Sequence, residues 1–150
     1  MNRPTEFRQL DDPATILTAF PVMQELRPHL QDAQLFTAQI ERQRTQGYRL
    51  LAAYKHNEIL GLAGYRLQEN LIYGEFIYVD DLVVTARLQR SGVGGELLEA
   101  VRQEAIGSGC AHFVLDTGLH MALAQRFYFR HGLLARGMHF VEALMPRGVA

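Results

Sequence analysis

Gln89-Arg90-Ser91-Gly92-Val93-Gly94-Gly95 is the stretch on which the reading of this chain turns. It sits directly behind an apolar run, Leu82-Val83-Val84, and directly ahead of a helical pattern from Glu96 to about Ile106. The first N–H groups of a helix have no acceptor inside the helix. Glycines let such a backbone approach a ligand closely, and the helix dipole adds partial positive charge. A glycine-rich bend between a strand and a helix is therefore a place to bind phosphate or pyrophosphate.

Two common phosphate loops do not fit. A Walker loop places a lysine after its glycines, and Lys55 is the only lysine in the chain. A dinucleotide fingerprint needs a third glycine where Leu97 stands, and an acidic residue about twenty positions later to hold a ribose. The pattern that does fit is Gln or Arg, two residues, Gly, one residue, then Gly or Ala, as in Gln89, Gly92 and Gly94. This resembles the coenzyme A pyrophosphate loop of the GNAT superfamily of N-acetyltransferases. Taken alone, the same glycines also fit a plain turn before a helix.

The surrounding sequence constrains the class. At 150 residues and 48% hydrophobic, one domain with a sizeable core is expected, spanning residues 1–150. A net charge of −1, with scattered arginines rather than a basic patch, gives no nucleic-acid footprint. Cys110 is the only cysteine, which excludes an intramolecular disulfide and a thiolate zinc site. The six histidines show no metal spacing, so no metal is expected. No apolar run reaches the length of a membrane span, and Met1-Asn2-Arg3-Pro4 does not begin a signal peptide, so the expected location is the cytoplasm.

The periodicity predicts a mixed architecture. Phe7 to Leu10 reads as a first strand, and Asp12-Pro13 as a helix start. Pro21 and Pro28 bound a short piece with Val22, Met23 and Leu26, and a second helix follows from about Asp32 to Gln46. Tyr48–Tyr54, Glu58–Gln68 and Leu71–Val84 read as an antiparallel meander turned at His56-Asn57 and Glu69-Asn70. After the glycine loop and its helix, His112 to Leu115 should lie parallel to the preceding strand. Leu119 to Arg130 reads as a helix with Leu119, Leu123 and Phe127 facing inward, and Met138 to Leu144 as a last strand.

This element order is similar to the GNAT layout over essentially the whole chain. Tyr78-Val79-Asp80-Asp81-Leu82-Val83-Val84 resembles the superfamily's fourth strand. Ala124-x-Arg126-Phe127-Tyr128-x-x-x-Gly132 resembles its A-x-x-F-Y-x-x-x-G signature, and His139-Phe140 the closing strand of small bacterial members. The resemblance implies an α+β fold with a mixed central sheet of about six to seven strands, flanked by about four helices, with a splayed pair of parallel strands. It implies acetyl-coenzyme A as co-substrate. Its pyrophosphate would rest on the loop formed by Gln89, Arg90, Ser91, Gly92, Val93, Gly94 and Gly95, and its pantetheine arm would pair with the backbone of Leu82, Val83 and Val84.

An alkylamine has a pKa near 10, so a base helps it to attack at neutral pH. By resemblance that base comes from the face and level of Tyr78 and Asp80. Strand alternation puts Tyr78, Asp80 and Leu82 on one face and Val79, Asp81 and Val83 on the other, which favours Asp80. Asp81 is the second choice, since a bulge would reverse the parity, and Glu75 the third. These acids could equally bind a cationic acceptor. A backbone N–H of Val83 or Leu82 would meet the developing negative oxygen. The family pattern makes Tyr128 the general acid for the leaving thiolate, whereas the helix alone would make it a packing residue.

The expected activity is acetyl transfer to a primary amine by direct attack in a ternary complex. The alternatives are a protein-amine acceptor in place of a small molecule, and an acetyl-coenzyme A sensing module without turnover. A homodimer is a possible assembly. Close relatives have an arginine and a histidine where this chain has Met121 and Gln125, so their acceptor preference does not carry over.

Overall fold

The computed structural model describes residues 5–145. They fall into two compact units, meeting in sequence between Leu115 and Asp116.

The first unit is built on a five-stranded sheet in sequential order: β1 (Glu6–Gln9), β2 (Tyr48–Lys55), β3 (Glu58–Asn70), β4 (Gly74–Val84) and β5 (His112–Leu115). The first three pairings are antiparallel, and β4–β5 is parallel. The count of six to seven strands is thereby corrected. The expected strand at Met138–Leu144 forms no pairing, and Phe140, Val141 and Leu144 are exposed. A strand is not a local structure: alternating residues become one only where a free edge meets them.

Helices α1 (Pro13–Thr18), α2 (Phe20–Leu26) and α3 (Ala33–Arg44) cover one face, and α4 (Val93–Gly107) the other. With α5 (Ala122–Arg130) of the second unit they make five, where about four were expected. The extra one is α2: Pro21 sits in its first turn, where a missing N–H costs nothing, so the proline starts a helix rather than breaking one. Asp12 and Asp32 cap α1 and α3 through their carboxylates.

His56 and Asn57 both adopt positive φ, the geometry of a two-residue hairpin whose twist matches its strands. The β3–β4 turn falls at Leu71–Tyr73, later than the sequence suggested. Asn70 Oδ1 accepts from the N–H groups of Ile72 and Tyr73, and this side-chain turn lets β3 continue through Asn70.

The sheet divides two cores. Ile16, Met23, Phe36, Ile40, Tyr48, Leu50, Leu62 and Val83 are buried on the side of α1–α3. Leu51, Ala63, Tyr65, Ile77, Val79, Leu97 and Val101 are buried on the side of α4.

In the second unit, Gln125 donates to the carbonyls of Gly118 and Leu119, which fastens the turn before α5. Gly132, at positive φ, closes the helix. The expected inward stripe is corrected here: Leu119 and Leu123 are 79% and 71% exposed.

Candidate active site

Gly92 is the N-cap residue of α4, in the left-handed region at φ 92°, and no side chain caps this helix end. An L side chain rarely adopts that backbone, and nothing lies within 4 Å of where a Cβ would stand. Val93 is buried and Leu88 packs on the same core, so the loop is anchored at both ends while Gln89 to Gly92 stay exposed. The N–H groups of the first turn are unmatched by helical acceptors, and the residues just ahead of them are open to solvent. Arg90 also has positive φ, which tightens the bend.

Strand β4 runs past its parallel partner. Its pairing with β5 covers Phe76 to Val79 and stops at Val79↔Leu115, whereas its pairing with β3 continues to Val84. The edge from Asp80 to Val84 thus has a strand on one side only, next to the glycine loop in sequence. The parallel pair expected from the sequence is present, and its pairing ends where β5 ends, at Leu115. An extended arm bearing amide groups can pair with such an edge, and a pyrophosphate suits the bend behind it.

The aspartates lie at a bulge. Gly64 opposes Asp81 and Tyr65 opposes Val79, so Asp80 is the extra residue in β4. The bulge changes the side-chain parity. Ile77 and Val79 face α4; beyond the bulge Leu82 and Val84 pack on that side, while Val83 is buried with α1–α3. Strict alternation, which would have put Asp80 and Asp81 on opposite faces, is therefore corrected: both turn toward α1–α3.

Their surroundings differ. Asp81 is held on both oxygens. Arg27 Nε and Nη2 donate to Oδ1 at 3.1 and 2.9 Å, and the Tyr48 hydroxyl donates to Oδ2 at 2.8 Å. Asp80 takes one side-chain contact, from Arg66 Nε to Oδ2 at 2.9 Å, and its carbonyl accepts from Arg27 Nη2. Burial pushes the Asp80 carboxyl above its ordinary range, partly offset by Arg66. Tyr48 is fully buried, and desolvation followed by the Asp81 charge raises its phenol well above the usual value. Glu75 lies exposed near the start of β4, away from the bulge.

Three residues of this cluster escaped the sequence reading: Arg27, Tyr48 and Arg66. Nothing local in the sequence marks Arg27 or Arg66; for Tyr48 the signal that could have found it is Gly64. A Cβ there would stand 1.8 Å from the Tyr48 hydroxyl oxygen and 2.8 Å from Asp81 Oδ2. A glycine inside a strand marks such a close approach.

In the second unit Tyr128 is partly buried on α5, and desolvation, then the charge of Asp116, raises its phenol pKa. His139 Nε2 lies 3.1 Å from Asp116 Oδ2. The described residues contain no cluster of His, Cys, Asp and Glu able to hold a metal and no helix long and apolar enough to cross a membrane.

An open mixed sheet whose half-paired strand β4 leads into an uncapped glycine turn has the features that suit a phosphate-bearing ligand with an extended arm. The comparisons place the chain among the acetyltransferases. The Acetyltransferase (GNAT) family matches residues 11–133, and the chain belongs to that family. It is an acetyl-transferring acyltransferase, of a family whose donor is acetyl-coenzyme A. An uncharacterized N-acetyltransferase of Bacillus subtilis, YhdJ, is 30% identical over 122 residues, 81% of this chain and 85% of that protein. The aminoalkylphosphonate N-acetyltransferase of Salmonella typhimurium is 30% identical over 98 residues, 65% of this chain and 62% of its own length. The solved aminoglycoside N-acetyltransferase AAC(6')-Iy, in complex with coenzyme A, shares the fold with a TM-score of 0.79 at 17% identity, covering 95% of this chain and 96% of that one.

Proposed function

We propose that the chain moves acetyl from acetyl-coenzyme A to the primary amine of a small molecule by direct attack in a ternary complex, with Asp80 as the base. The observation that carries this reading is the β4 bulge. It sets a half-buried carboxylate with raised proton affinity at the point where the strand loses its parallel partner. The neighbouring carboxylate, Asp81, is committed to Arg27 and Tyr48 and is the support rather than the base.

Acetyl-coenzyme A supplies the thioester. The backbone of residues 90–95 would hold its pyrophosphate, and that of Leu82, Val83 and Val84 its extended arm. Asp80 accepts a proton from the ammonium form of the acceptor, directly or through one water, and frees the nitrogen lone pair. Asp80 hands that proton to solvent. Nitrogen then bonds to the carbonyl carbon as the carbon–sulfur bond breaks, and the second proton it sheds passes through water to restore the Tyr128 phenol. A backbone N–H of Val83 or Leu82 meets the negative charge on the carbonyl oxygen. Tyr128 gives its proton to the departing sulfur, a role its raised pKa suits because the phenol stays protonated at neutral pH.

The relative that acetylates aminoalkylphosphonates supports a small amine as acceptor. The test is an acetyl-transfer screen over an amine panel, following thiol release and N-acetyl product together. One product per thiol on a small amine supports the reading. Acetyl-coenzyme A binding without turnover on any amine would make the chain a sensor, and turnover on a protein amine alone would replace the acceptor class.

A further inference from the structure

We infer that Arg66 is a positioning residue: clamped by the α3–β2 corner, it aims the Asp80 carboxylate. The inference rests on the reading of Asp80 as the base. Arg66 lies on β3 opposite Tyr78, on the sheet face turned toward α3. Its guanidinium makes three contacts: Nε to Asp80 Oδ2 at 2.9 Å, Nη2 to Gln43 Oε1 at 2.6 Å and Nη1 to Gln46 Oε1 at 3.4 Å. It also sits over the Tyr48 ring, 5.4 Å from the centroid. Gln43 belongs to the last turn of α3, and Gln46 to the turn that leads into β2.

The consequence follows from geometry. Asp80 is the extra residue of a bulge, so it has no directly opposed residue on β3. Arg66 takes Oδ2, leaving Oδ1 as the oxygen for a substrate proton. A fork held closely on Gln43 and more loosely on Gln46 resists swinging, and so restrains the carboxylate oxygen it grips. Lysine carries the same charge, but its rotatable ammonium on a flexible stem lacks the planar fork that sets the direction of each contact. The groups that act on the Asp80 charge are Arg66 of β3, Arg27 at the end of α2, the adjacent Asp81, and Tyr48 of β2. Of these, Arg66 is the one that bonds the Asp80 carboxylate itself.

The experiment pairs carboxyl-carbon NMR titration of Asp80, its signal assigned by its loss in Asp80→Asn, with pH profiles of kcat/KM. In Arg66→Gln the Asp80 pKa should rise, because burial is no longer offset. The acid limb of the profile should move to higher pH with it, and plateau kcat should fall about tenfold. Arg66→Lys should restore the Asp80 pKa but not kcat. Gln43→Ala should lower kcat severalfold with the Asp80 pKa unmoved and the KM for acetyl-coenzyme A unchanged. An Asp80 pKa that stays put in folded Arg66→Gln, or full kcat in Arg66→Lys, overturns the inference. If the carboxyl titration moves and the activity profile does not, Asp80 is not the base, and that outcome sinks the reading on which the inference rests.

Discussion

The Tyr48 hydroxyl donates to Asp81 Oδ2 at 2.8 Å, passing across the bare backbone of Gly64 to reach it. The bond ties β2 to β4 over the intervening strand. With Arg27 on the other oxygen, it also ties α2 to the bulge. Glu25, two residues before Arg27, accepts from the Thr85 hydroxyl and the Ala86 N–H, so α2 grips β4 and the turn after it at both ends of the half-paired segment.

Tyr48→Phe keeps the ring and leaves Asp81 Oδ2 without its donor, so it should cost about 2 kcal/mol of stability. The buried phenol has a folded pKa raised well above its unfolded value. Its stabilising contribution is therefore whole below about pH 10 and lost as pH rises beyond it. Urea melts at pH 8 and pH 11 should show a smaller alkaline loss in Tyr48→Phe than in the parent; equal losses would mean that this phenol ionises without opening the core.

Gly64→Ala should destabilise by about 3 kcal/mol, because the methyl would overlap the Tyr48 hydroxyl. The cost should shrink in a Tyr48→Phe background, where part of the overlap is gone. Strict additivity in the double mutant would show that the strand moves rather than the ring.

Gly92→Glu should abolish coenzyme A binding. It forces an L side chain into a left-handed backbone and sets a carboxylate at the helix N-terminus proposed to hold the pyrophosphate. Calorimetry on the folded variant is the measurement, and an unchanged affinity would remove the loop from the cofactor site.

Tyr128→Phe should leave stability and cofactor affinity nearly unchanged while kcat falls roughly tenfold to a thousandfold. Pre-steady-state kinetics should confirm that chemistry limits the rate. Full activity under that condition would reduce Tyr128 to packing.

Asp80→Asn should flatten the rise of rate with pH and recover activity at high pH, where the amine loses its proton unaided. If Asp80 only binds a cationic acceptor, KM rises and kcat holds. Asp81→Asn should instead lower the melting temperature, since it weakens the contacts with Arg27 and Tyr48, and the activity profile should keep its shape.

The linear sequence was enough to determine most of the order of elements, the glycine bend ahead of α4 and the family. These rest on local signals: an apolar run, glycines, caps at Asp12 and Asp32, and turn residues at His56-Asn57, each acting within a few positions of itself. Tertiary structure alone decided the rest. Whether Met138–Leu144 pairs depends on an edge contributed from elsewhere in the chain. The face that Asp81 presents depends on how β4 registers against Gly64 and Tyr65, because one extra residue reverses every side chain after it. The partners of the two aspartates, Arg27, Tyr48 and Arg66, come from three other elements at sequence separations of 14 to 54 residues. No periodicity records such contacts: charge pairing and burial act through space, and only the folded sheet brings those groups within bonding distance.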